Sequence, residues 1–422
     1  MKKILLSCFA ILYLCGCTSS KKLILKTVDT VLNDRLYNSH FTGVLIIDVN
    51  TKDTLYNKNS HKYFTPASNT KIFTLFAALN TLPDKIPALR YIKQNDTLYV
   101  KGTGDPSFLH PYLKDSTALN FLQQQKNIAL YTGNFQDSKF GPGWSWEDYQ
   151  YYYSPERSGF PIYGNVVTIS NAPKTSVLPK YFKDSVLRIS NKSNREEHRN
   201  LFYVGATRTD TLEIPFKTGD STLKSILEKE LNVPLTFVNE MPPGIKQTLY
   251  GIQADSLYVR LMHESDNFIA EQLLLLSASE TTDTLHTNIA ITNTLDNLLP
   301  NLPQQPRWVD GSGLSRYNLF TPQSMVHVLE RLYLQLPKER LFKIFPSGGV
   351  SGTLDNWYEG NTAPYIFAKS GSLGNNYCLS GYLLTESGKT VVFSFMNNHF
   401  KHPSSELKLK MEQIFEKIRD TY

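Results

Sequence analysis

The chain has 422 residues, 41% hydrophobic and 19% charged, the balance of a folded globular protein of two or three domains rather than a disordered one. Its formal charge of +6 is mild, and no dense Lys/Arg run with interleaved aromatics accompanies it, which argues against nucleic acid as a partner. The nine histidines form no H-E-x-x-H motif, since "HESDN" at 263–267 lacks the second histidine, so neither a metal nor another cofactor is expected.

The amino terminus reads as an export signal over residues 1–16: "MKK" is basic, and "ILLSCFAILYL" is apolar but too short to span a bilayer comfortably. Leu14, Cys15, Gly16 and Cys17 resemble a bacterial lipobox, which implies lipidation of Cys17, an exported periplasmic protein and a membrane anchor; a plain signal peptide cleaved nearby is the alternative. With Cys8 and Cys15 in the signal and Cys17 acylated, Cys378 is the one free thiol of the mature chain, so no internal disulfide is possible. In the strand-like "YCLSGYLL" it reads as a small core residue.

From residue 17 to 82, "FTGVLIIDVNTKDTLYNKN" reads as a β-hairpin around Asn50-Thr51-Lys52. A helix follows from near Pro66, with the Thr65 hydroxyl as its cap and proline at its first position. Residues 83–248 shift to short strand-like runs broken by Gly, Pro and Asn, with one clear helix, "DSTLKSILEKEL" at 220–231; this is inserted β-rich material. In 249–422, helical patterns return in "SLYVRLMHESDNFIAEQLLLLSA" and "TPQSMVHVLERLYLQL", a hairpin turns at Ser387-Gly388, and an amphipathic helix ends the chain. The two ends are expected to close into one α/β domain from which the insert projects.

Four S-x-x-K pairs occur: Ser19/Lys22, Ser68/Lys71, Ser221/Lys224 and Ser405/Lys408. The first lies in the tether, and the last two start amphipathic helices whose lysines face water. Ser68 and Lys71 share a face in the first turn of an apolar helix, beside the positive end of its dipole. A lysine acts as a base near neutral pH only if burial or a second cation disfavours its ammonium form. Two triplets could supply that cation. Lys217-Thr218-Gly219 runs into a helix and reads as a strand-to-helix connection, whereas Lys369-Ser370-Gly371 lies in a strand-like run followed by another strand. A strand edge of that kind can align backbone donors along a bound peptide, with the glycine letting the ligand approach. Ser265-Asp266-Asn267 sits at a helix start, where a cap is the ordinary reading.

Together, in the order 68, 265, 369, these elements match the S-x-x-K, S-D-N and K-T-G signature of penicillin-binding proteins and class A β-lactamases. The gap of 197 residues between Ser68 and Ser265 resembles the class C low-molecular-mass penicillin-binding proteins, D-alanyl-D-alanine carboxypeptidases/endopeptidases with a large insertion. The stretches "GTGDPSF", "GPGWSWEDYQYYYSP", "VDGSGLSRYNLFTP" and "SGGVSGTL" agree; Ser370 replaces the usual threonine and keeps its hydroxyl.

The resemblance implies an α+β transpeptidase-like fold, an antiparallel sheet flanked by helices, acting on peptidoglycan stem peptides and inhibited by β-lactams. It makes Ser68 the nucleophile, Lys71 its base, Ser265 a proton relay to the leaving amine with Lys369 in the network, and Asn267 an orienting group. Lys369, Ser370 and Arg316 would hold the terminal carboxylate, and the backbone N–H groups of Ser68 and Ser372 the oxyanion. Asp148 matches an acidic position facing a diamino-acid side chain, or is a solvated loop acid. A β-lactamase or esterase of the same fold and an inactive wall-binding lipoprotein are the rival readings.

Overall fold

Alternate residues of strand Phe41–Asp48 feed two different cores, and this organises the molecule. In the computed structural model, which describes residues 20–170, 176–191 and 193–422, this strand is buried along nearly its whole length. Val44 and Ile46 point into one core, Leu45 and Ile47 into the other. Such a strand suits an interior place in its sheet, with neighbours on both sides. The sheet runs in the order Ile366–Leu373, Asn376–Leu384, Thr390–Asn398, Phe41–Asp48, Thr54–Lys58, antiparallel throughout. The two ends of the chain meet in it, Phe41 opposite Asn398.

The carboxy-terminal helix Ser404–Thr421 covers one face through Leu407, Met411, Ile414, Phe415 and Ile418, together with a helix over 20–32. Helices Thr70–Thr81, Asn267–Thr281 and Pro322–Gln335 cover the other. Helix Asn267–Thr281 is buried nearly all round, because it lies within the second core instead of on its surface. The signal segment 1–16 and Cys17 lie outside the described residues.

The material between the two halves builds its own core. A five-stranded sheet there runs Leu235–Phe237, Asn127–Tyr131, Thr97–Gly102, Lys85–Gln94, Gln247–Gln253, and a three-stranded sheet joins Leu212–Pro215, Val166–Ser170 and Ser176–Leu178. Strand Gln247–Gln253 runs past residue 248 and pairs with Lys85–Gln94. A helix at Thr117–Gln123 adds to the single one expected at Asp220–Leu231.

Two local expectations need correction. Thr65 does not cap the helix, since neither the helix nor the turn before it has a side-chain cap; the Thr65 N–H donates to Asn398 Oδ1 (2.7 Å) and its carbonyl accepts from Asn398 Nδ2 (3.1 Å), tying its backbone to the sheet. Ser68 therefore sits in a separate 3₁₀ turn, Ala67–Asn69, and the α-helix starts at Thr70. Ala67 takes φ +48°, a left-handed conformation that costs a residue with a side chain and is held by its surroundings. Gly313 packs so tightly on this turn that a Cβ there would fall 1.9 Å from the Ala67 carbonyl oxygen.

Candidate active site

Lys71 is fully buried, and its Nζ lies 3.0 Å from Ser68 Oγ, 2.7 Å from Asn267 Oδ1 and 2.7 Å from the Ser312 carbonyl oxygen. Burial pulls its ammonium down to about 8, against the opposing pull of Asp310, Glu271 and Asp266. An amine that is part neutral near pH 7 and in contact with a hydroxyl can take the hydroxyl proton.

Asn267 opens the helix Asn267–Thr281. Asp266 caps it, Oδ1 accepting from the Ile269 N–H at 3.0 Å, and Oδ2 accepts from Arg260 Nε at 2.9 Å. The cap is therefore real, and it coexists with a site: the next side chain reaches Lys71 with its oxygen, while its Nδ2 donates to the Tyr153 carbonyl at 2.9 Å. Ser265, at φ +55°, faces the same cleft as Ser68.

Lys369 is also fully buried, its Nζ donating to the Ser370 carbonyl at 2.7 Å. Burial first, and Lys71 second, hold it well below the ordinary lysine range. The expected influence of a second cation thus falls on Lys369; Lys71 is lowered by burial.

Gly371 has a packing role at this site. A Cβ there would meet the Pro66 carbonyl oxygen at 2.6 Å and Asn69 N and Nδ2 at 2.9 Å. Its lack of a side chain serves the close approach of the strand to the turn bearing Ser68. Asn69 Nδ2 seals the seam by donating to the Lys369 carbonyl at 2.9 Å. Ser370 Oγ donates to Thr353 Oγ1 at 2.7 Å.

In front of these groups lies a cleft of about 1120 Å³ lined by Ser68, Ser265, Asn267, Ser372, Arg316 and Asp148, among others. Arg316 is exposed and donates to the Gly374 carbonyl at 3.2 Å; Asp148 Oδ1 accepts from the Tyr153 hydroxyl at 2.9 Å. Among the described residues, no group of three or more His, Cys, Asp or Glu side chains is placed to hold a metal ion. Lys217-Thr218-Gly219 joins strand Leu212–Pro215 to helix Asp220–Leu231, and its threonine N–H and hydroxyl both donate to Glu156 Oε2 (2.8 and 2.6 Å).

Residues 24–201 and 254–418 match the family model of the D-Ala-D-Ala carboxypeptidase 3 (S13) family. The chain belongs to this family. The S13 peptidases are serine hydrolases, so the resemblance read from the three motifs holds. The D-alanyl-D-alanine carboxypeptidase DacB of Haemophilus influenzae is 23% identical over 443 residues, covering 93% of this chain and 92% of that protein. The D-alanyl-D-alanine carboxypeptidase of Actinomadura sp. strain R39 is 24% identical over 440 residues, covering 89% and 81%. The crystal structure of penicillin binding protein 4 from H. influenzae shares the fold, with a TM-score of 0.72 at 22% identity over 93% of this chain and 98% of that one.

The S13 site of this chain depends on residues that the motifs do not name. Buried Asp310 accepts from the N–H groups of Gly313 (2.8 Å) and Ser315 (2.7 Å), from Asn318 Nδ2 (2.7 Å) and from Trp144 Nε1 (2.9 Å), folding the loop that brings the Ser312 carbonyl to Lys71. Burial, and Glu271 nearby, lift its carboxyl to about 6. Glu271 was detectable in principle, because it lies four residues from Asn267 and so on the same helix face. Ser312 was not, since its contribution is a backbone carbonyl that any residue carries.

Proposed function

We propose that the protein is a serine-type D-alanyl-D-alanine carboxypeptidase/endopeptidase that works on peptidoglycan stem peptides through an acyl-enzyme on Ser68. The observation carrying this is Lys71, a buried amine in contact with Ser68 Oγ, Asn267 Oδ1 and the Ser312 carbonyl, directly behind the Ser68 and Asn267 side of an open cleft. In this reading Ser68 Oγ bonds to the carbonyl carbon of the penultimate D-Ala while Lys71 takes the hydroxyl proton. Collapse of the tetrahedral adduct breaks the C–N bond, and Ser265, in a network with Lys71 and Lys369, passes a proton to the departing amine. Water then cleaves the ester and restores Ser68. The backbone N–H groups of Ser68 and Ser372 hold the oxyanion, Arg316, Ser370 and Lys369 take the terminal carboxylate, and Asp148 faces the free amine of a diamino-acid side chain.

Because β-lactams share the acylation step, a fluorescent penicillin labels the wild type in this reading and leaves Ser68→Ala dark; equal labelling of the two refutes it. Slow release of the penicilloyl group, with D-Ala or muropeptides released from purified sacculi, separates the peptidase from a β-lactamase and from an inactive binder. We also place the mature chain in the periplasm, tethered by a lipid on Cys17, as the leader motif suggests. Mass analysis of the mature amino terminus, with Cys17→Ser as control, tests the tether.

A further inference from the structure

Arg157, which comes from the inserted region, and Glu271 form an ion pair in which both side chains are buried almost completely: Arg157 Nη2 and Nε donate to Glu271 Oε2 at 2.5 and 3.0 Å. Glu271 keeps its other oxygen for one partner, the Ser312 N–H, at 2.8 Å. The carbonyl of that same residue accepts from Lys71 Nζ at 2.7 Å. A neutral amine has two N–H bonds and one lone pair. The Ser312 carbonyl accepts only, and so does Asn267 Oδ1, whose identity follows from the donation of Nδ2 to the Tyr153 carbonyl. With both N–H bonds engaged, only the lone pair is left for Ser68 Oγ, 3.0 Å away. Were the Ser312 carbonyl to turn away, a freed N–H could donate to Oγ instead, the wrong polarity for removing its proton.

We infer that Glu271 and Arg157 are positioning residues that aim the Ser312 carbonyl at Lys71 and thereby leave the lone pair of its neutral amine to Ser68. This rests on the proposed roles of Ser68 and Lys71. The charged groups facing Lys71 are Asp310, Glu271, Asp266 and Lys369; Glu271 is faced by Arg157, which also reaches Asp137 at 3.5 Å, and by Asp310.

The test is the pH dependence, from 6 to 10, of acylation by a fluorescent penicillin, normalised to the labelled fraction, for wild type, Glu271→Gln and Arg157→Lys. Glu271 raises the pKa of Lys71, so removing its charge should move the rising limb to lower pH by roughly one unit. The plateau should fall roughly tenfold or more as the Ser312 carbonyl loosens. Arg157→Lys keeps the positive charge but not the two-pronged grip, so it should lower the plateau with little movement of the limb. A merely structural pair would change thermal stability and the active fraction while both variants kept the wild-type normalised rate and limb, and that result overturns the inference. If Glu271→Gln does not fold, Arg157→Lys decides: a normalised rate within twofold of wild type overturns it. A wild type that is never acylated sinks the proposed function and this inference with it, whereas an acylated wild type with unmoved variants sinks the inference alone.

Discussion

Replacing Gly371 with alanine puts one methyl group between the strand Ile366–Leu373 and the turn that presents Ser68. The backbone of Gly371 lies outside the left-handed region, so the cost is one of contact. The nearest atom, the Pro66 carbonyl oxygen, would stand 2.6 Å from the new Cβ, with Asn69 N and Nδ2 at 2.9 Å. Two of these three atoms are backbone and cannot rotate aside. The strand and turn must therefore part by about 0.4 Å at the least to bring the closest contact to 3.0 Å. Overpacking of this kind costs about 1–3 kcal/mol of stability.

The same movement stretches the bond from Asn69 Nδ2 to the Lys369 carbonyl and separates Lys369 and Ser372 from Ser68. A sub-ångström misplacement of reacting groups lowers the rate by roughly tenfold to a hundredfold. The assay is the second-order rate constant of acylation by a fluorescent penicillin, normalised to the labelled endpoint, with thermal unfolding measured alongside. A Gly371→Ala protein that is acylated within twofold of wild type and unfolds at the same temperature would refute the argument that this seam sets the geometry of the site.

The acylation rate of the wild type should climb with pH through about 8 and then level off, because the neutral fraction of Lys71 rises as its proton leaves; a flat profile between pH 6 and 10 would contradict this role. Asp310→Asn replaces an acceptor of four hydrogen bonds with a group that also donates, and should cost roughly 3 kcal/mol in denaturant unfolding; a loss below about 0.5 kcal/mol would show the loop holds itself. Cys378 is fully buried and its thiol is pushed up to about 12, so with Cys8, Cys15 and Cys17 replaced by serine the native protein should not react with a thiol reagent at pH 8 until denatured; a reaction complete within seconds would be inconsistent with that burial.

The hairpin around Asn50-Thr51-Lys52, the hairpin at Ser387-Gly388 and the amphipathic end helix were legible because each is written in a local period and a local turn. So was the pairing of Ser68 with Lys71, since i and i+3 lie on one side of a turn whether it is α or 3₁₀. The cap expected at Thr65 does not form: the turn and helix start without a side-chain cap, and the Thr65 backbone is tied to Asn398, far along the chain and next to it only through the register of strand Thr390–Asn398.

The order of the three motifs, and the preference for Lys369 over Lys217, are set by the residues in their immediate context. What the chain could not announce is which groups meet across long separations. Lys71 reaches the Ser312 carbonyl over 241 residues, and Arg157 reaches Glu271 over 114. Periodicity says which side chains share a face, and motif order says which reaction they suit. Only the closing of the central sheet by the two ends of the chain, with helix Asn267–Thr281 buried beneath it, decides that these faces touch. The decisive partners are a backbone carbonyl and an ion pair whose other halves lie in distant segments, so no local pattern marks them.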